Sequence, residues 1–231
     1  MSIYITGDVH GHLGASRFNT ANFPAQKTMT RNDVVIVLGD FGLVWNNNKT
    51  YQHWLKWYAE KPFTLVFIDG NHDNHDWLRE FPEKQWHGGR VHVIADNVLH
   101  LMRGELFTIA GQTWFAFGGA LSVDKEHRQV GVSWWPGELP SVAECEHGLA
   151  TLDNVNWHVD HVLTHTAPVS VLDAMFPQYV LETDITSNYL EMVHDQLTFT
   201  HWWYGHWHVN LDHVNGDKAY HCLFEEIRQV I

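Results

Sequence analysis

The order of elements along the 231 residues predicts an α/β fold in which two sheets are flanked by helices. Three observations carry that expectation. Short apolar runs recur, each stopping at Gly, Asp, Asn or His; helical segments separate the first three runs; and strand-like pieces then follow one another closely. The runs Ile3–Thr6, Val34–Leu38 and Thr64–Ile68 are continuous and rich in Val, Ile and Phe, as strands covered on both faces are. Residues 50–60 and 73–81 suit the helices between them, so the first half reads as βαβαβ with parallel strands. From 85 to 117 come strand-like pieces at 90–94, 98–102, 105–110 and 114–117, with Gly104 and Gly111-Gln112 at turns. A helix is expected over 141–151, after Pro140 and with acidic residues early. A further apolar run lies at 162–163. The tail, 198–231, alternates apolar and polar residues and suits antiparallel strands around the hairpin dipeptide Asn215-Gly216. No repeat or linker divides the chain, so residues 1–231 are expected to form a single domain.

With 45% hydrophobic and 18% charged residues, the chain can supply a sizeable core. Its net charge of -13, from 14 Lys+Arg against 27 Asp+Glu, repels polyanions, so long nucleic acid is not an expected partner. That count leaves out bound cations, and a cationic site can sit inside an acidic protein. Two distant cysteines, Cys145 and Cys222, suggest neither a disulfide framework nor a thiolate zinc site. The N-terminal residues lack the basic start and apolar stretch of a signal peptide, and no apolar run reaches the ~18 residues of a membrane span. A cytoplasmic protein without membrane contact is the expectation. The 19 histidines and 12 tryptophans are the unusual feature.

Polar residues gather where the apolar runs end. Ile3–Thr6 leads into Gly7-Asp8-Val9-His10-Gly11, Val34–Leu38 into Gly39-Asp40, and Thr64–Ile68 into Asp69-Gly70-Asn71-His72-Asp73. Residues 161–163 lead into Thr164-His165, and residues 202–204 into Gly205-His206-Trp207-His208. Ligands of α/β sheets bind outside the carboxyl ends of strands, so five ends far apart in sequence could share one site. They would bring Asp8, His10, Asp40, Asn71, His165, His206 and His208, all oxygen or imidazole donors. In extended chain, the i,i+2 pairs Asp8/His10 and His206/His208 point to the same side. Asp40, with two oxygens, can bridge two cations. Mixed N/O ligation favours Mn, Fe, Zn, Co or Ni over Ca, with manganese the first expectation. Taken singly, a Gly-Asp is usually a turn and a lone histidine usually structural; their joint occurrence in order is what carries the signal.

These motifs resemble the successive signatures of the calcineurin-like metallophosphoesterases: Asp8-Val9-His10, Gly39-Asp40, Gly70-Asn71-His72-Asp73, Thr164-His165 and Gly205-His206-Trp207-His208. The resemblance runs from residue 6 to 208. It implies a four-layer α-β-β-α sandwich, two mixed sheets packed face to face with helices outside. It also implies two divalent ions, one held by Asp8, His10, Asp40 and His208, the other by Asp40, Asn71, His165 and His206. His72 would stand beside the substrate as the catalytic side chain. The implied reaction is hydrolysis of a phosphate mono- or diester by a metal-bridging hydroxide, with His72 stabilising or protonating the leaving oxygen. The expected partner is a small phosphoester or nucleotide. Asp73 receives no chemical role.

One branch of that family carries Gly-Asp-x-x-Asp-Arg-Gly at the second motif. Here the run is Gly39-Asp40-Phe41-Gly42-Leu43-Val44, with Leu43 and Val44 in place of the Asp and Arg, which argues against protein phosphatase and diadenosine tetraphosphatase activity. Arg128, on the loop after Gly118-Gly119, is a candidate phosphate clamp, and Trp134 or Trp135 a candidate stacking surface. Equally, Arg128 could pair with Asp124 or Glu126, and the tryptophans could fill a gap between sheets. The run 54–58 reads as the core face of a helix and not as a binding stripe. A catalytically inactive scaffold of the same fold and a redox metalloprotein are the rival readings; retention of every ligand position and of His72 weighs against the first, and the donor set against the second.

Overall fold

Alternation along the strands explains how the layers form. Ile3 and Ile5 face one side of their strand and Tyr4 the other, yet all are buried. The computed structural model describes residues 1–177 and 184–231. In chain order its elements are β1 (Ile3–Thr6), β2 (Val34–Leu38), α1 (Lys49–Ala59), β3 (Thr64–Ile68), α2 (His75–Leu78), β4 (Glu83–Trp86), β5 (Gly89–Ala95), β6 (Val98–Leu101), β7 (Glu105–Ile109) and β8 (Gln112–Phe117). They continue with α3 (Val142–Asp153), β9 (His161–Thr164), α4 (Val169–Met175), α5 (Ile185–Gln196), β10 (His201–Tyr204), β11 (Leu211–Asn215), β12 (Lys218–Cys222) and β13 (Arg228–Gln229).

The strands form two mixed sheets, ordered β13-β1-β2-β3-β6-β5-β4 and β11-β12-β10-β9-β8-β7. Ile3, Ile5, Ile36, Val66 and Ile68 of the first pack against Phe107, Trp114, Leu163 and Trp203 of the second, forming the layer between sheets. On the outer face of the first sheet, Val35, Val37 and Phe67 meet Tyr58 and Trp54 of α1. On that of the second, Phe115, Phe117 and Trp202 meet Leu152 of α3, Leu172 of α4 and Leu190 of α5. This is the expected four-layer sandwich. Each fully buried aliphatic or aromatic side chain contributes about 1.5–3 kcal/mol of transfer free energy, which makes these three clusters the main stabilising term.

Helix starts follow from local chemistry. Asn48 caps α1 by accepting from Tyr51 N at 2.9 Å. Ser141 and Glu144 form a reciprocal capping box on α3. The helix expected over 73–81 shrinks to the single turn of α2. Asp73 spends its carboxylate outside the helix, on Gly42 N and Gly70 N, so Asn74 caps instead, and Pro82 disfavours helical backbone at Phe81. The tail also departs from a purely antiparallel arrangement. The Asn215-Gly216 hairpin joins β11 to β12, but β12 also runs parallel to β10. The largely exposed β11 takes the sheet edge, and β13 pairs with β1 in the other sheet. Among the described residues no helix is long and apolar enough to cross a membrane.

Several histidines outside the motifs are buried between these layers. His161 stacks on Trp114 at 3.7 Å and lies 5.2 Å from His201, which in turn contacts His221. His92 and His100 stack face to face at 5.3 Å. Burial, then the neighbouring imidazoles, hold His161 and His92 down at about 4; burial, against the pull of Asp69 and with the push of Arg103, holds His75 at about 3. Below the free imidazole value the unfolded chain therefore binds protons that the folded chain refuses. Their stabilising effect is complete above about pH 6.5 and declines as pH falls toward 4. Asp73, pushed up to about 7 by burial and then Asp40, and His165, held protonated near Asp40, oppose this in part. For metal-free protein we expect a net loss of roughly 2–4 kcal/mol between pH 7 and pH 5. Urea midpoints at the two pH values measure it, and an unchanged midpoint would contradict it.

Candidate metal centre

The five strand ends meet. β1, β2 and β3 lie side by side and parallel in one sheet, β9 and β10 side by side and parallel in the other. The chain turns sharply at each end. Of the non-glycine residues with positive φ among those described, His10 (51°), Asp40 (47°), His206 (68°) and His208 (51°) are four of the seven expected ligands. Such backbone costs about 1 kcal/mol or more per residue and persists where surrounding contacts impose it, typically at functional sites. Glycines make the room: a side chain at Gly39 would collide with the His165 ring, and one at Gly70 with the Asp40 carboxylate.

Two groups of donors result. In the first, the buried Asp8 faces His208 Nε2 at 3.0 Å and His10 Nε2 at 4.0 Å, while the two imidazole nitrogens approach each other to 3.2 Å. Asp8 Oδ1 accepts from His206 N at 2.9 Å, whereas the buried Oδ2 faces only the imidazole nitrogens of His208 and His10. His208 is steadied by stacking on Phe224 at 4.4 Å. In the second, His165 Nδ1–H donates to Leu38 O at 2.7 Å, which turns Nε2 toward Asn71 Oδ1 at 3.1 Å and Asp40 Oδ1 at 3.4 Å. His206 lies 5.0 Å from His165, ring to ring. Asp8, His10 and His208, and likewise Asp8, Asp40 and His165, could each hold a cation.

The electrostatics fit that use. Burial would lower the His165 pKa, but the Asp40 carboxylate overrides it and pushes the group up to about 10. A proton there does what a cation would do among three converging acceptors. Burial would raise Asp40, but His165, then His72 and His10, hold it below the carboxylate range. Burial, then His165, lowers His206 to about 4, keeping it the neutral imidazole that metals bind. The Asp8 carboxylate, buried between the His208 and His10 imidazoles, is a further place where a positive partner fits.

His72 borders the first group, its ring 5.4 Å from that of His10, and its backbone N–H donates to Asp40 Oδ1 at 2.7 Å. Arg128 reaches it from the loop after β8, with Nη1 2.7 Å from Nδ1 and Nη2 3.1 Å from Nε2. The same guanidinium pairs with Asp124 through Nε and Nη2, each at 2.8 Å. Arg128 is thus paired with Asp124, as one reading of it expected, and the same guanidinium lies against His72. Burial, then Arg128, lowers the His72 pKa against the pull of Asp40. Leu43 and Val44 are buried in the outer core and bring nothing polar, as their identities imply. Trp135 packs edge-on against Trp45 at 4.9 Å, filling space beside the site loops.

Two residues had no visible role in the sequence. Asn71 Nδ2 donates to Ser122 Oγ at 3.1 Å, and Ser122 donates onward to Glu138 Oε2 at 2.6 Å, while Ser122 N reaches Oε1 at 3.1 Å. Glu138 is fully buried. The pair fixes which way the Asn71 carboxamide points, leaving Oδ1 toward His165. Asp69, just before the Asn71 loop, is anchored by Arg103, whose Nε donates to it at 3.0 Å.

The model of the calcineurin-like phosphoesterases matches residues 1–210. The chain belongs to that family. This agrees with the enzyme class expected from the motifs, a metal-dependent phosphoesterase. A lariat debranching enzyme A from Xenopus laevis is 26% identical over 141 residues, 55% of this chain and 24% of its own length. The chain thus spans about a quarter of that relative. The crystal structure of TT1561 of Thermus thermophilus is similar in fold, with a TM-score of 0.57, 12% identity, and coverage of 99% of this chain and 97% of that one.

Proposed function

We propose that this protein hydrolyses small phosphate esters with two divalent ions, one held by Asp8, His10, Asp40 and His208 and the other by Asp40, Asn71, His165 and His206. The observation that carries this reading is a convergence of acceptors: Asp40 Oδ1, Asn71 Oδ1 and His165 Nε2, with the His165 Nδ1 proton already committed to Leu38 O. Such a set is repulsive unless a cation, or a proton in its place, lies between its members. When bound, two such ions supply Lewis acidity and a water of lowered pKa. Asp40 would help to hold both ions. The Ser122–Glu138 pair holds the Asn71 carboxamide in its donor orientation. His72 gives a proton or positive charge to the leaving oxygen, and Arg128 turns its guanidinium to a phosphate oxygen as the ester enters.

The donor set accepts Mn, Fe, Zn, Co or Ni, and Mn is the first candidate to test. The net charge of -13 steers against long nucleic acid and toward small phosphoesters or nucleotides. A cytoplasmic location belongs to the same proposal, in keeping with the unpaired Cys145 and Cys222. The test is hydrolysis of p-nitrophenyl phosphate and bis(p-nitrophenyl) phosphate by chelator-stripped protein, then after return of Mn, Ni, Co or Zn. We expect activity to vanish on stripping and to return with at least one metal. No metal-stimulated turnover on either ester would favour the scaffold reading.

A further inference from the structure

A cavity of about 390 Å³ opens directly off the candidate centre and shares His10 and His72 with it. Away from those two histidines its walls carry the aromatic rings of Trp45, Tyr51 and Trp54. No carboxylate, ammonium or guanidinium is among the described side chains that line it. In a chain of net charge -13, an uncharged recess beside a cationic centre selects for what can fill it. Asn46 and Asn48 add carboxamides at the cavity wall, with Asn48 Oδ1 already committed to Tyr51 N. The aromatic walls are braced from behind, Trp45 by Trp135 at 4.9 Å and Tyr51 by Trp77 at 4.7 Å, both edge-on. Trp54 is different. Part of it packs on the core, and the exposed His12 lies near it, ring centres 6.3 Å apart and planes inclined by 29°.

The volume suits a group of nucleoside size. His72, the candidate proton donor to the leaving oxygen, lies on the boundary between cavity and centre, so the group attached to that oxygen exits into this recess.

We infer that the cavity between Trp54, Tyr51 and Trp45 holds an uncharged planar aromatic group of the phosphoester, a nucleobase or an aryl ring, stacked on Trp54. The inference rests on the phosphoesterase reading and sharpens its substrate class. Tyr51 and Trp45 form the sides, and the carboxamides of Asn46 and Asn48 address the edge of the ring. An ester of a small aliphatic alcohol leaves this space filled only with water.

The first measurement needs no turnover: calorimetric binding of adenosine, phenol and glycerol to the chelator-stripped protein. Adenosine or phenol should bind, glycerol should not, and Trp54→Leu should weaken the ring-bearing ligand about tenfold, as loss of one stacking face does. Leucine keeps apolar contact with the core while removing the ring face. The second is KM for the monoesters and methyl diesters of the same three alcohols with Mn present. The ring-bearing esters should show the lower KM, and that preference should collapse in Trp54→Leu. Adenosine favoured over phenol assigns a nucleobase, the reverse an aryl ring. Equal binding of all three alcohols, or no change in ring binding in Trp54→Leu, would overturn the inference. Absent turnover on every ester with ring binding intact would overturn the phosphoesterase reading and keep the aromatic site.

Discussion

Asp40→Ala is expected to empty both metal positions and to lower turnover by about a thousandfold or more, beyond the 10–100-fold typical of a lost outer-sphere partner. The carboxylate lies 3.4 Å from His165 Nε2 and is held ionised by His165, His72 and His10. With Asp8, it is one of two carboxylates in electrostatic contact with both sets of donors. Alanine also removes the acceptor of the His72 N–H and places a methyl group on left-handed backbone, so some instability will accompany the loss. Asp40→Asn separates these effects. The amide oxygen can keep the His72 N–H bond while the negative charge is gone. Metal content per chain, read by elemental analysis after gel filtration, should fall from two toward zero in both variants. Two tightly bound ions in Asp40→Asn, with turnover intact, would refute the bridging role.

The parts of this protein that were legible in its sequence are those written in consecutive residues. Each strand that ends at the centre is a short apolar run, and each motif begins within a few residues of its end, so the two signals reinforce one another. The face-to-face sheets followed from the family resemblance more than from periodicity, because strands buried on both faces show no alternation to read. What escaped depends on chain segments meeting across space. Arg128 and His72 are 56 residues apart, and nothing in either neighbourhood announces the other. Ser122 sits in a loop whose Gly-Gly start draws attention, but its acceptor Glu138 lies 16 residues on, in a turn with no pattern of its own. The shortened α2 is a case of tertiary demand overriding local propensity: Asp73 is needed to hold Gly42 and Gly70 in the site loops and so cannot begin a helix. Trp54 packs partly on the core, as the run 54–58 predicts, but it also lines the cavity, because α1 lies beside His10 and His12, a placement the run itself does not encode.

His72→Ala should retain both metal ions yet lose about 10²–10⁴ of kcat, the range that a positioned proton donor supplies. The side chain stands apart from the acceptor groups: its backbone N–H contacts Asp40, but its ring faces His10 and the Arg128 guanidinium. A neutral imidazole has one free lone pair, so only one of the two close approaches by Arg128 can be a hydrogen bond; the other is a contact that disfavours the imidazolium. An incoming phosphate changes that balance, because its oxygens offer the guanidinium a stronger acceptor and favour positive charge on His72 as well. Removing His72 therefore removes both the proton and a reason for Arg128 to stand where it does. The leaving group distinguishes the two losses. An alkoxide must be protonated as it departs, whereas p-nitrophenolate is stable without a proton. If His72 acts as an acid, His72→Ala should depress turnover of an alkyl ester far more than that of the p-nitrophenyl ester. Equal losses on both would leave His72 only a charge-stabilising or positioning part, and undiminished turnover on both would remove it from the reaction.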